Sequence, residues 1–298
     1  MHLTTLILAI LFLLKSPSSS CLQAQDTNRH LDFFVGVDFN YRDINYVRQW
    51  DVLLNLNPGF KYDFGHNWML SGQAIVPIIN QYGNYYERPR LNMAVLSKEF
   101  WLADIICAKA SAGWFGMSRY GVDAKLFAPL SEWVAVESQL GYTGYVSMAT
   151  GWEMSPMDRF TWTFGGDLYF PEYDVQLRGI IGRFVYGDFG ILCEGMRHFK
   201  HTTVSLFGKL SSADGLDAGF KAAIMVPPYH RSTRMVRIRP ASNFRFTSII
   251  KYHQHSVRMY PTDPEENERE GWFTRSILRW GSHNMEADFT TQRKEVSE

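Results

Sequence analysis

Leu31-Asp32-Phe33-Phe34-Val35-Gly36-Val37-Asp38-Phe39-Asn40-Tyr41 decides how this chain folds. Successive side chains of a strand point to opposite faces. One face of this stretch therefore carries Leu31, Phe33, Val35, Val37, Phe39 and Tyr41, and the other Asp32, Phe34, Gly36, Asp38 and Asn40. The same period returns in Phe160–Asp167, where Phe160, Trp162 and Phe164 oppose Thr161, Thr163, Gly165 and Asp167. In Asp217–Val226, Ala218, Phe220, Ala222, Ile224 and Val226 oppose Asp217, Gly219 and Lys221. Phe244–Tyr252 sets Phe244, Phe246, Ile250 and Tyr252 against Arg245, Thr247 and Lys251, and Tyr120–Phe127 sets Tyr120, Val122, Ala124 and Leu126 against Asp123 and Lys125. The chain is all-β.

Two all-β architectures alternate in this way. A β-sandwich turns its apolar face inward and its polar face to water. A transmembrane barrel turns its apolar face to lipid and its polar face to a lumen. Strand length separates them: about fourteen candidate strands of roughly ten residues fit tilted membrane strands, whereas sandwich strands average about 5–6. Asp63–Trp68, Ala128–Trp133 and Tyr186–Phe189 read as the tight turns of hairpins. Trp50, Trp68, Trp101, Trp133, Trp272 and Trp280 sit at segment ends, where an interfacial aromatic girdle belongs. The expectation is an antiparallel outer-membrane β-barrel of about 12–16 strands.

Composition agrees. Aromatic residues make up 15% of the chain, yet its mean hydropathy is slightly polar. No segment after residue 25 approaches the run of about 18 apolar residues that a spanning helix needs. Leu3–Leu14 is an almost unbroken apolar run, followed by Lys15-Ser16-Pro17-Ser18-Ser19-Ser20 and Cys21-Leu22-Gln23-Ala24-Gln25. This is the layout of a secretory signal peptide over residues 1–25, with cleavage near Gln25/Asp26. Lipidation at Cys21 is the rival, but Ser18-Ser19-Ser20 lacks the apolar residue usual before such a cysteine. The remaining 26–298 reads as one domain. Removing Lys15 from the 30 Lys and Arg leaves 29 against 30 Asp and Glu, a net charge of −1. That excludes the basic excess of a nucleic-acid binder. Cys107 and Cys193 remain, either as one bridge or as two thiols.

Two segments break the rhythm. Val226–Pro240 carries His230, Arg231, Arg234, Arg237 and Arg239, and Thr262–Gly271 carries Asp263, Glu265, Glu266, Glu268, Arg269 and Glu270. Both read as solvated loops, the basic one alternatively as a short strand with a charged rim. Arginine forks bind carboxylate and phosphate, so Arg237 and Arg239 are candidates to touch an acidic polysaccharide or lipopolysaccharide phosphates.

Tyr173–Pro228 carries a resemblance. Gly182-Arg183 leads to Gly187-Asp188-Phe189-Gly190 and then Glu194-Gly195-Met196-Arg197-His198-Phe199. A Gly-containing strand at Phe207–Leu210 follows, then an apolar strand ending at Pro227. The pattern resembles the YjbH family of outer-membrane proteins, associated with exopolysaccharide and capsule export in diderm bacteria. The likeness covers roughly 55–80 residues of a chain shorter than the long family members. It implies a place and a pathway rather than a reaction: outer-membrane lipid and lipopolysaccharide around the barrel, with acidic polysaccharide and other export-pathway proteins as partners.

From parity alone, Asp188 and Glu194 lie opposite Phe189, Ile191 and Cys193 and are expected to face the lumen. Arg183 and Arg197 have the other parity and need a bulge or a place at the barrel rim. These charges either pair across the hairpin or contact a passing polymer. No Gly-x-Ser-x-Gly elbow, His-Glu-x-x-His helix or phosphate-binding Gly-rich loop occurs. His198 with His201, and His253 with His255, fall short of the three or four ligands of a zinc site. Ser205 and Ser248 show no nucleophile spacing. The expectation is a non-enzymatic protein without metal or cofactor.

Overall fold

The computed structural model describes residues 31–42, 51–81, 88–102, 106–131, 133–147, 152–199, 202–213, 215–225, 231–232, 236–241, 243–249 and 259–265. Residues 1–25, where a signal peptide is expected, and Trp50, His201, His253, His255, Trp272 and Trp280 lie outside them.

The strands are β1 (Leu31–Arg42), β2 (Asp51–Gly65), β3 (Trp68–Asn80), β4 (Arg90–Trp101), β5 (Cys107–Phe115), β6 (Arg119–Pro129), β7 (Val134–Ser147) and β8 (Glu153–Met154). They continue as β9 (Arg159–Phe170), β10 (Val175–Arg183), β11 (Phe189–His198), β12 (Thr202–Ser211), β13 (Gly215–Met225), β14 (Arg231–Ser232), β15 (Val236–Pro240) and β16 (Asn243–Ile249). Leaving aside the short β8, β14 and β15, thirteen strands close a ring: β1 through β7, then β9 through β13, then β16, which returns to β1.

An up-and-down ring with an odd number of strands brings its first and last members together running the same way. The seam is accordingly parallel: Asp38–Arg42 of β1 pair with Arg245–Ile249 of β16, and Leu31–Val35 pair with β15. The expected barrel of about 12–16 strands is present with thirteen, antiparallel around its ring except at this parallel seam, where the odd count departs from the even number usual in bacterial barrels. One edge of β1 is served by β15 and then β16, and between them the Ala241 amide donates to the Val35 carbonyl.

The faces are sorted as a lumen requires. In β10, Gln176, Arg178 and Ile180 are buried while Leu177 and Ile181 are exposed. In β11, Glu194 and His198 are buried and Ile191 is exposed; in β12, Ser205 and Lys209 are buried and Leu206 is 68% exposed. The inward face is mostly polar, with Ile180, Leu192, Met196 and Phe207 among its side chains, and the outward face is mostly apolar. That polarity is the reverse of a β-sandwich.

The turns follow local chemistry. His66 and Asn67, with φ of 54° and 62°, join β2 to β3 as the left-handed pair of a type I′ hairpin. Ser131 holds the β6–β7 turn, its hydroxyl accepting from the Val134 amide. Between β10 and β11, Gly187 at φ 84° closes a turn in which its amide donates to the Phe184 carbonyl. Trp133 is 59% exposed beside the β6–β7 turn, and Trp68 is half-buried at the start of β3.

Candidate functional site in the barrel lumen

Eight strands give a lumen just wide enough for side chains to fill. Thirteen leave more room, and two chain segments occupy part of it. The β10–β11 turn leans in, burying Val185 against Met93, Val95 and Phe115. Met259-Tyr260-Pro261-Thr262-Asp263-Pro264-Glu265 threads alongside, with Thr262, Asp263 and Pro264 buried. The expected solvated acidic loop is therefore corrected for Thr262–Glu265. Its remainder, 266–271, lies outside the described residues.

The register fixes the direction of this segment. Its Pro261 carbonyl accepts from the Gly116 amide (3.1 Å), at the mouth where β5 turns into β6. Its Glu265 meets Arg239 on β15, which pairs with the first residues of β1 at the opposite mouth. The segment thus passes from one mouth towards the other, bending at residues 262–265 where the Glu265 amide donates to Asp263 at 3.0 Å.

Side chains and carbonyls along the segment meet wall residues. The Tyr260 hydroxyl donates to Asp123 Oδ2 at 2.8 Å, and its ring stacks on Phe115 with centroids 5.4 Å apart. Gln139 Nε2 donates to the same Asp123 oxygen at 2.8 Å. Gln73 Nε2 donates to the Pro264 carbonyl at 3.3 Å. Asp263 lies 2.7 Å from Lys61 Nζ and 3.3 Å from Lys109 Nζ. Arg239 grips Glu265 with two parallel bonds of 2.6 and 2.7 Å, and Lys61 Nζ stands 3.1 Å from the same carboxylate. Bidentate Arg–carboxylate pairs are the stronger class of charged hydrogen bond.

The electrostatics follow from this crowding of cations. Burial would raise the carboxyl pKa of Asp263, but Lys61 and then Lys109 outweigh it and hold the group well below the ordinary range. Glu265 is likewise opposed by burial and brought down to about 2 by Lys61 and Arg239. Tyr260 is pushed above the usual phenol range by burial first and by Asp123 next.

The other sector of the wall pairs with itself. Arg178 Nε sits 2.9 Å from Asp167 and 3.6 Å from Glu137. Gln176 donates to Asp167 at 2.6 Å, and His198 bridges Gln176 (3.0 Å) and Thr203 (3.1 Å). Lys209 faces Asp217 at 3.6 Å.

Glu194 points into the lumen as parity required, bound by Lys221 at 3.1 Å and by the Ser205 hydroxyl at 2.8 Å. Asp188 is buried in the β10–β11 turn. Arg183 and Arg197 keep outward parity at opposite ends of that hairpin, which is the rim position; Arg197 lies over the Phe199 ring. Arg237 and Arg239 lie in a short strand, each 3.6 Å from Asp32. Cys193 is a free thiol exposed on the outer face, so no bridge joins it to the buried Cys107. The six residues singled out in the sequence thus occupy the lumen, the turn and the rims rather than one site.

Lys61, Lys109, Asp123 and Phe115 were missed. They fall on the inward parity of β2, β5 and β6, but only the returning segment marks them out from other inward residues. No family model and no curated protein matches this chain. The likeness to the YjbH family stands on the residues of Tyr173–Pro228 alone.

Proposed function

We propose that this chain is an outer-membrane β-barrel that assists export or surface assembly of an exopolysaccharide or capsule, without catalysing a reaction. The reversed polarity of the wall carries the membrane part of the proposal: exposed Leu168, Leu177, Ile181, Ile191, Leu206 and Leu210 surround a polar interior. An apolar band of this kind stays out of water by facing hydrocarbon, and a closed barrel leaves no strand edge unpaired there. The leader-like residues 1–25 support export, and the resemblance over Tyr173–Pro228 supports the polymer pathway. Lipid and lipopolysaccharide then contact the outside, and export-pathway proteins supply the driving force, since an outer membrane offers no ATP.

The occupied lumen favours a barrel closed at rest over a general diffusion porin. In planar bilayers the full chain should hold near-baseline current, whereas a porin conducts steadily. Cys193 tests the membrane placement. Its thiol is outward among Gly179, Gly195, Leu206 and Gly208, so a water-soluble maleimide should leave it unlabelled in native membranes and label it after delipidation into urea. Labelling in intact membranes would refute lipid contact at that position. The polymer role is tested by measuring polysaccharide in periplasm, surface and medium of a deletion strain, with and without the restored gene. Surface loss reversed by restoration is expected; an unchanged distribution would remove the role.

A further inference from the structure

We propose that Lys61, Lys109, Arg239, Asp123 and Phe115 form a binding site for an acidic glycan, and that Tyr260, Asp263 and Glu265 of the chain itself occupy it as an internal stand-in. The inference names the ligand class of the exporting lumen proposed above and rests on that reading.

The argument starts from what a uronic-acid chain offers: flat faces of C–H bonds, hydroxyl donors, and carboxylates repeated along a linear polymer. The lumen supplies a partner for each. Aromatic faces take up such C–H faces, and Phe115 offers one that the Tyr260 ring now covers at 5.4 Å. Asp123 is positioned to accept from a hydroxyl and now accepts from Tyr260 at 2.8 Å. Two carboxylate cradles follow in line. Lys61 and Lys109 hold Asp263 at 2.7 and 3.3 Å, and Arg239 with Lys61 holds Glu265.

The order along the lumen is ring, hydroxyl, carboxylate, carboxylate, on an occupant that passes from the Gly116 mouth towards Arg239. An acidic peptide alone would need the cations and not the aromatic platform. A withdrawn segment takes away the nearest carboxylates of these cations and leaves Glu99 at 3.9 Å from Lys109 and Asp32 at 3.6 Å from Arg239. Carboxylates of a polymer can take the closer places that Asp263 and Glu265 vacate.

Glycine makes the docking tight. A Cβ on Gly116 would come within 2.5 Å of the Pro261 ring, and one on Gly141 would overlap the Tyr260 hydroxyl. The wall is thus shaped to the segment at two points, which distinguishes a built stand-in from a tail collapsed into open space.

Binding and release are then competitive. An occupied site lowers apparent affinity by the fraction of molecules in the open form, so closure at ~10:1 costs about tenfold. The test uses the full chain in detergent micelles, titrated calorimetrically with a galacturonic acid hexamer, a neutral maltohexaose and a glutamate hexamer. Asp263→Asn with Glu265→Gln should bind the galacturonate at least about tenfold more tightly than the parent chain, and addition of Lys61→Gln should abolish that gain. Maltohexaose should not bind measurably. Equal affinity of parent and double variant would overturn the stand-in, and preference for the glutamate hexamer would overturn the glycan.

If the double variant does not fold, judged by heat-modifiable gel migration, Glu265→Gln alone keeps Asp263 on its two lysines and should give an intermediate gain. No gain there would overturn the proposal as well. Binding in micelles is independent of where the protein resides, so a positive titration with no outer-membrane fractionation would sink the exporting role and leave the site.

Discussion

Two sectors of the lumen solve the same problem differently. On β7 and β9–β13, inward charges are neutralised by neighbours on the wall: Arg178 by Asp167 and Glu137, Lys209 by Asp217, Lys221 by Glu194. On β2, β5 and β15, Lys61, Lys109 and Arg239 draw carboxylates from Met259–Glu265, a segment far along the chain. Lys109 also has Glu99 at 3.9 Å, and Arg239 has Asp32 at 3.6 Å, so each keeps one distant wall partner. A self-paired sector is stabilised whenever the barrel is closed. A sector neutralised by a separate segment depends on that segment staying docked, and under the proposal above its withdrawal opens the lumen without unfolding the wall.

The sharpest way to break the comparison is to remove one cation from each sector. Arg178→Leu leaves Asp167, whose side chain is wholly buried, facing an uncompensated charge. It should destabilise the barrel by about 3–5 kcal/mol, read from urea unfolding in micelles. Lys61→Met should release the segment, whose carboxylates can leave for water, and lower barrel stability by far less. Equal losses in the two variants would abolish the distinction between the sectors.

Next in size is a steric test. Gly116→Ala pushes a Cβ into Pro261 without a strained φ, so the wall should stay folded while the segment is expelled. Glutamyl endopeptidase should then cut after Glu265 in the folded variant and spare the parent. Gly179→Ala, whose Cβ meets nothing within 4 Å, should behave as the parent.

Acid gives a graded effect. The carboxyls of Asp263 and Glu265 are depressed by Lys61, Lys109 and Arg239 against the opposing effect of burial, with Glu99 and Asp32 as the nearby wall acids. A depressed folded pKa stabilises docking in full above the ordinary carboxylate value, and that contribution is lost as pH falls through the folded one. Bilayer current should stay at baseline from about pH 7 to about pH 5 and rise only below about pH 4, towards the Glu265 value of about 2. A rise already between about pH 7 and about pH 5 would contradict control by these two carboxyls. Smallest is Tyr260→Phe, which keeps the stack on Phe115 and loses the bond to Asp123. Docking should weaken by about 1 kcal/mol, visible as a modest increase in cleavage after Glu265.

The wall was legible in the sequence because its signal has a period of two and repeats. Thr161, Thr163 and Asp167 against Phe160 and Phe164, and Asp217 against Phe220, sort in space as they sort on paper. Turns announced by Gly65, Pro129 and Gly187 fall at hairpins. The parallel seam was illegible because it depends on the parity of the strand count, a global number that no local pattern carries. The lumen segment was read as solvated because its carboxylates and prolines look the same in water and between buried lysines. What neutralises Asp263 lies on β2 and β5, about 150 or more residues earlier in the chain. Glu194 was placed correctly since parity decides its face; its partner Lys221 follows only from the pairing of β11, β12 and β13.

Occupation of the lumen by Met259–Glu265 is tested most directly by a covalent link at its first contact. Gly116→Cys with Pro261→Cys, in a Cys193→Ser background, places two thiols where the Gly116 amide and Pro261 carbonyl meet at 3.1 Å, and losing the Pro261 ring removes the atoms that a Cβ on residue 116 would strike. Mild oxidation of the folded full chain should give a faster-migrating band on a denaturing gel that reductant reverses and Pro261→Cys alone does not produce. Absence of that band in a chain that still shows a folded barrel would contradict a segment docked in the lumen.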